Sequence, residues 1–182
     1  MTGPHPGQGG AAESGTDRSG MRSGTVWQIR TDADLVELRR VVRERSARSG
    51  MSLIEQTKFM TAASELARNT LVHGGGGQVE IIELRRAGTD AEERGVRLVF
   101  TDQGPGIADV AQAMTAGYTS GGGLGLGLGG ARRLVEDFRL HTTPGSGTTV
   151  VIASWARAGR PSRGAALHTL HDSDQGGIGA RW

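Results

Sequence analysis

Ala63-Ser64-Glu65-Leu66-Ala67-Arg68-Asn69 decides how the rest of the chain reads. Apolar residues recur around it at helical spacing, so the stretch falls in the middle of a helix. Glu65 and Asn69 stand four positions apart, which sets them on one face, one turn from each other. A carboxylate can take up a proton. A neutral amide oxygen can ligate a hard cation such as Mg²⁺, which prefers oxygen ligands and fills its shell with waters and nucleotide phosphates. A solvated helix face carries the same pair, so its meaning depends on two later stretches. These are Asp102-Gln103-Gly104-Pro105-Gly106-Ile107 and the glycine run from Gly121 to Gly130.

Outward from that helix, the chain alternates clearly. Thr25 to Arg30 alternates in polarity and reads as a strand. Thr31 or Asp32 can cap a helix that runs to about Arg48, with Leu35, Leu38, Val41 and Val42 at helical spacing. Ser49-Gly50 breaks it. The central helix then runs from about Ser52 to Leu71, with an expected buried stripe of Leu53, Thr57, Met60, Ser64, Ala67 and Leu71. Glu65 and Asn69 flank that stripe. His73 and the four glycines after it end the helix, and His73 reads as structural. Gln78 to Arg85 and Val96 to Thr101 read as strands around a charged turn from Ala87 to Gly95. A short helix is expected over Ala108 to Thr115 and another over Leu126 to Asp137. Phe138 to Thr142 and Thr148 to Trp155 form a hairpin around Pro144-Gly145-Ser146-Gly147. The order β-α-α-β-β-α-α-β-β implies an α+β two-layer sandwich, with a mostly antiparallel sheet and helices on one face.

The chain has 182 residues, 36% hydrophobic and only 4% aromatic, enough for one modest core. Residues 1–24 contain no Leu, Ile, Val or Phe and are expected to be a disordered tail. Residues 25–156 form the expected folded domain, and 157–182 a mostly disordered tail. No segment approaches the roughly 18 apolar residues of a membrane span. No apolar signal region opens the chain, so the expectation is a cytoplasmic protein with no membrane partner. The absence of cysteine excludes disulfides and thiolate metal sites. Of 21 basic residues only Lys58 is a lysine, and the net charge is just +2. Arg39, Arg40, Arg43, Arg45 and Arg48 cluster toward the end of the first helix. A solvated helix face is the expectation, and no nucleic-acid partner.

Glycine lets a backbone approach phosphates closely and turn several N–H groups inward. A Walker loop is excluded, because it needs Gly-Lys-Ser/Thr and Lys58 lies elsewhere. Gly125 to Gly130 matches G-x-G-x-x-G, yet no strand precedes it and no acid follows about 20 positions on, so the dinucleotide reading fails. A flexible linker would not carry Leu124, Leu126 and Leu128 so regularly into a helix. Asp102 suits a different task. A carboxylate at a strand end can accept a hydrogen bond from an exocyclic amine, while Gly104 and Gly106 let a flat base lie against the backbone.

In order, Glu65-x-x-x-Asn69, Asp102-x-Gly104-x-Gly106 and Gly123-x-Gly125-Leu126-Gly127-Leu128 resemble the N, G1 and G2 boxes of the GHKL ATP-binding superfamily. The resemblance covers roughly residues 25–156 and implies the Bergerat fold with a short ATP lid. The chain is most similar to the RsbT-like serine/threonine switch kinases and anti-sigma regulatory factors. Ala63 to Asn69, Thr119 to Gly125 and Ala131 to Phe138 carry that likeness. Only 16 positions separate Ile107 from Gly123, too few for the lids of chaperones or topoisomerases. Sigma-binding relatives usually read Glu-Ala where this chain reads Glu65-Leu66. The glycine run is longer than the family's, which implies a looser lid.

By this resemblance the cofactors are ATP and Mg²⁺. Glu65 is the catalytic base, and Asn69 is the Mg²⁺ ligand. Asp102, Gly104, Gly106 and Ile107 hold the adenine. Ser120, Gly121, Gly122, Gly123, Leu124, Gly125, Leu126 and Gly127 cover the phosphates, and Thr148 helps from the closing strand. The implied protein substrate is a serine or threonine on a STAS-domain antagonist. A PP2C-type phosphatase or a sigma factor is the further implied partner, and a homodimer the implied assembly. A nucleotide-gated anti-sigma factor acting by binding alone stays open as an alternative, as does a lone ATP-binding half of a histidine kinase.

Overall fold

The computed structural model describes residues 24–87, 92–115 and 126–157. The elements are β1 (Thr25–Ile29), α1 (Asp32–Arg48), α2 (Leu53–Val72), β2 (Gly77–Ala87), β3 (Glu92–Asp102), α3 (Val110–Ala113), α4 (Gly127–Arg133), β4 (Asp137–Thr142) and β5 (Thr148–Trp155). Their order is the one expected. The five strands form one sheet in the order β1-β2-β3-β5-β4, every neighbouring pair antiparallel. This is an α+β fold. Among the described residues, no helix is long and apolar enough to cross a membrane.

Local chemistry starts the two long helices. Thr31 caps α1, and Asp34 closes a capping box by accepting from the Thr31 and Arg30 amides at 2.8 and 2.9 Å. Ser52 caps α2 in the same way: its amide donates to Glu55 Oε2 at 2.7 Å and its hydroxyl accepts from the Glu55 amide. A cap of this kind contributes about 1 kcal/mol. The helices then pack on one sheet face. Leu35, Leu38 and Val42 of α1 and Phe59, Ala63 and Leu66 of α2 meet Val79, Ile81, Leu98, Phe100, Val150 and Ile152. On the opposite face, Ile82, Leu84 and Ala153 form a smaller cluster with Val99 and Trp155. Arg86 stacks over the Trp155 ring, 4.1 Å from its centroid.

Three arginines of the α1 cluster are answered by carboxylates. Arg40 pairs with Glu37 and Glu44, Arg48 with Glu44, and Arg45 reaches Glu83 on β2 at 2.5 Å.

Three expectations need correction. The buried stripe of α2 is Phe59, Ala62, Ala63, Glu65, Leu66, Ala67 and Thr70, one residue round from the expected line, so Glu65 lies within it rather than beside it, and Leu53 is 79% exposed. Phe59 is the largest apolar group on the helix, and the alanines beside it let the backbone approach the sheet, so that line wins. The charged turn is shorter than 87–95, because β2 extends to Ala87 and β3 starts at Glu92. Arg85–Glu92 and Arg86–Glu93 ion pairs cross this end of the hairpin. Helix α4 stops at Arg133 rather than Asp137. Leu134 N–H closes a tight turn onto Ala131 O, and Glu136 N–H donates to Ala153 O, which draws the chain into the sheet. The tails, residues 1–23 and 158–182, lie outside the described residues.

Candidate functional site

Helix α2 runs along one wall of a cleft of about 410 Å³. From it, Glu65, Arg68, Asn69 and His73 line the space. Glu65 is buried, and it sits one turn before the half-buried Asn69, as the spacing requires. The facing wall is the loop after β3, with Asp102, Gly106 and Ile107, and the start of β5, with Thr148. Gly127 and Leu128 of α4, Gln112 of α3 and its N-cap Asp109 add to the lining.

Asp102 is the last residue of β3 and pairs across the sheet with Gly77 on one side and Thr148 on the other. Its Oδ1 accepts from the Gly104 amide at 3.0 Å and the Thr148 amide at 3.2 Å. Among the described residues, no donor reaches Oδ2, so one carboxylate oxygen is left to meet a ligand amine. Two glycines make room for this group. A β-carbon on Gly74 would stand 2.5 Å from Asp102 Cβ, and one on Gly104 would stand 2.7 Å from Gly74 Cα. Gly106 has φ +69°, the left-handed region that side-chain-bearing residues rarely adopt.

The loop is fastened to the β4–β5 hairpin at two points. Ile107 N–H donates to Thr142 Oγ1 at 2.9 Å, and Gly145 N–H donates to Pro105 O at 2.7 Å. Thr142 Oγ1 also lies 3.1 Å from both Gly147 O and Thr148 Oγ1. Thr142 therefore ties together the loop, the turn and the Thr148 hydroxyl.

The fold thus gathers Glu65, Asn69, Asp102, Gly106, Ile107, Gly127 and Thr148 around one cleft. Gly104 packs behind Asp102 against Gly74, and Leu126 caps α4 outside the lining. Ser120, Gly121, Gly122, Gly123, Leu124 and Gly125 lie outside the described residues. Sequence reasoning passed over Gly74, Thr142 and Arg68. The glycine run after His73 did hint at Gly74, but only as a helix stop. Thr142 looks like any strand threonine until β4 is placed beside β5.

The site fits a nucleotide. Its volume falls in the range of small-molecule pockets, roughly 300–1,000 Å³, and the glycine-lined loop can approach a flat base. Among the described residues, no group of three His, Cys, Asp or Glu could hold a metal by itself. Mg²⁺ commonly takes one or two protein oxygens and the phosphates of its substrate. Asn69 offers such an oxygen.

Residues 54–157 match the family model described as histidine kinase-, DNA gyrase B-, and HSP90-like ATPase. The serine/threonine-protein kinase RsbT of Bacillus subtilis (strain 168) is 36% identical over 130 residues, which cover 71% of this chain and 95% of that protein. The anti-sigma F factor of Clostridium novyi (strain NT) is 31% identical over 102 residues, covering 54% of this chain and 69% of that protein. A solved structure of the RsbU and RsbW domains of a Mycobacterium tuberculosis protein aligns with 78% of this chain at 20% identity and a TM-score of 0.49. The chain spans 34% of the length of that larger protein.

Proposed function

The chain belongs to the family of histidine kinase-, DNA gyrase B- and HSP90-like ATPases, and we propose that it is an ATP-dependent serine/threonine protein kinase of a bacterial partner-switching pathway. One observation carries the catalytic part of the reading. A buried carboxylate, Glu65, lines the same cleft as Asn69 and Asp102, one turn from the amide. A protein that only sensed ATP would need Asn69 and Asp102 but no base.

In this reading Asp102 accepts from the adenine amine, and Gly104, Gly106 and Ile107 shape the wall under the ring. Guanine, with no amine at the equivalent position, is rejected. Asn69 ligates Mg²⁺, which supplies charge neutralisation for the phosphates. Thr148 supports the base end, directly or through a water. Residues 120–127 cover the phosphates. Glu65 takes the proton from a serine or threonine hydroxyl as that oxygen bonds to the terminal phosphorus, and ADP leaves. A positioned base contributes about 10²–10⁴-fold to such a transfer.

The acceptor in this reading is a STAS-domain antagonist protein. Its phosphorylation adds negative charge at the interface and expels the kinase by repulsion. The freed kinase then meets a PP2C-type phosphatase. The setting is the cytoplasm, and a homodimer is the proposed assembly. A second reading, a nucleotide-gated anti-sigma factor, has the 31% identity to an anti-sigma F factor in its favour.

The experiment is transfer of labelled phosphate from Mg-ATP to candidate STAS proteins, with wild type and Glu65→Gln compared and nucleotide binding measured in both. Transfer to serine or threonine by the wild type alone, with binding intact in both, is the expected result. Binding without transfer to any candidate would instead favour the sigma-binding reading. An acid-labile product would point to transfer to histidine.

A further inference from the structure

A nucleotide triphosphate is strongly anionic, yet the cleft carries three carboxylates, Glu65, Asp102 and Asp109. Among the described residues lining it, Arg68 is the only lysine or arginine. Its Nε is buried and, among the described residues, has no hydrogen-bond partner. A buried donor without a partner is costly, and a charged one more so. Arg68 also lines the cleft, so a ligand there can meet the same guanidinium, whose planar fork matches phosphate oxygens.

Its place along α2 says which part of the ligand. Asp102 packs on Gly74, beyond the C-terminal end of the helix at Val72. Arg68 is four residues back from that end, roughly 6 Å of helix axis. It follows Glu65 by three residues and immediately precedes Asn69, the residue read as meeting the metal and the phosphates.

We propose that the Arg68 guanidinium binds the terminal phosphate of the nucleotide, so that the cleft selects ATP over ADP. The proposal rests on the reading of the cleft as an ATP site. In it Asn69 acts through a metal, while Arg68 contacts phosphate oxygen directly and lowers the repulsion between the triphosphate and the three carboxylates.

The test is calorimetric titration of wild type, Arg68→Met and Arg68→Lys with Mg-ATP, Mg-ADP and AMP, with a thermal melt of each protein. Methionine keeps most of the apolar stem and removes the charge. The expected result is a loss of roughly tenfold to a hundredfold in ATP affinity for Arg68→Met, with ADP and AMP within about twofold. Arg68→Lys should recover part of the preference, since it keeps the charge without the fork. An ATP-to-ADP ratio unchanged in Arg68→Met overturns the proposal, whether all three affinities stay or fall together. Should Arg68→Met lose its cooperative melt, Arg68→Gln carries the same comparison. A wild type that binds none of the three nucleotides overturns the ATP-site reading itself.

Discussion

Gly74 lies against Asp102 so closely that a β-carbon at position 74 would stand 2.5 Å from Asp102 Cβ and 2.6 Å from its Cγ. The loop that ends α2 therefore forms the backstop of the carboxylate at the end of β3. Gly74→Ala should push Asp102 out of line or open the loop. Overpacking of this kind costs about 1–3 kcal/mol. The expected outcome is a lower melting temperature and adenine-nucleotide affinity reduced by roughly tenfold or more. Titration with ATP beside a thermal melt checks both. Unchanged ATP affinity with a lower melting temperature would mean that the loop gives way and Asp102 keeps its place.

Asp102→Asn separates the two oxygens of that side chain. Its Oδ1 can still accept from the Gly104 and Thr148 amides, so the fold should survive with little change in melting temperature. At the other position an NH₂ donor would face the adenine amine, donor against donor. ATP affinity should fall by roughly tenfold to a hundredfold, as expected for losing a hydrogen bond to a charged group. Fluorescent-nucleotide titration and circular dichroism together measure this. A variant that binds ATP as wild type does would remove Asp102 from the base site.

Thr142→Val deletes the hydroxyl that accepts from Ile107 N–H and lies 3.1 Å from Thr148 Oγ1. An orphaned donor in a half-buried site costs about 1–3 kcal/mol. The variant should melt earlier and bind ATP more weakly, while Thr142→Ser should restore both. If serine and valine behave alike, strand packing rather than the hydroxyl sets the effect.

Asp34 makes the start of α1 sensitive to acid. The Arg30 amide, then the Thr31 hydroxyl and the Thr31 amide, hold its carboxyl below the ordinary carboxylate range. A carboxyl depressed in the folded state stabilises fully above its unfolded pKa, and this stabilisation is lost as the pH falls through the lower folded value. Asp34→Asn should therefore melt below wild type at neutral pH. The difference should close once the pH drops beneath the ordinary carboxylate range. Melts of the two proteins across an acid series decide it, and a gap that widened in acid would contradict the capping box as its source.

Signals confined to a few neighbours were legible in the sequence. The cap at Thr31 or Asp32, the turn before β5 and the one-turn spacing of Glu65 and Asn69 each depend on groups within about four residues. Their order along the chain was enough to indicate the α+β class and most of the cleft. The phase of α2 was less legible. Its faces are rich in Ala, Ser and Thr, so period alone put the buried line one residue off, and the volume of Phe59 against the sheet set it.

The sequence by itself determined which elements form, where the helices begin and which carboxylate and amide share a helix face, because backbone spacing and capping act locally. Only the tertiary structure decided that β5 inserts between β3 and β4, which brings Thr148 against Asp102 across 46 positions of chain. It also seated Gly74 behind that carboxylate and the Thr142 hydroxyl on the Ile107 amide, and put Arg68 in the lining of the cleft. Those relations follow from sheet register and close packing between distant segments, for which no local pattern of residues encodes a partner.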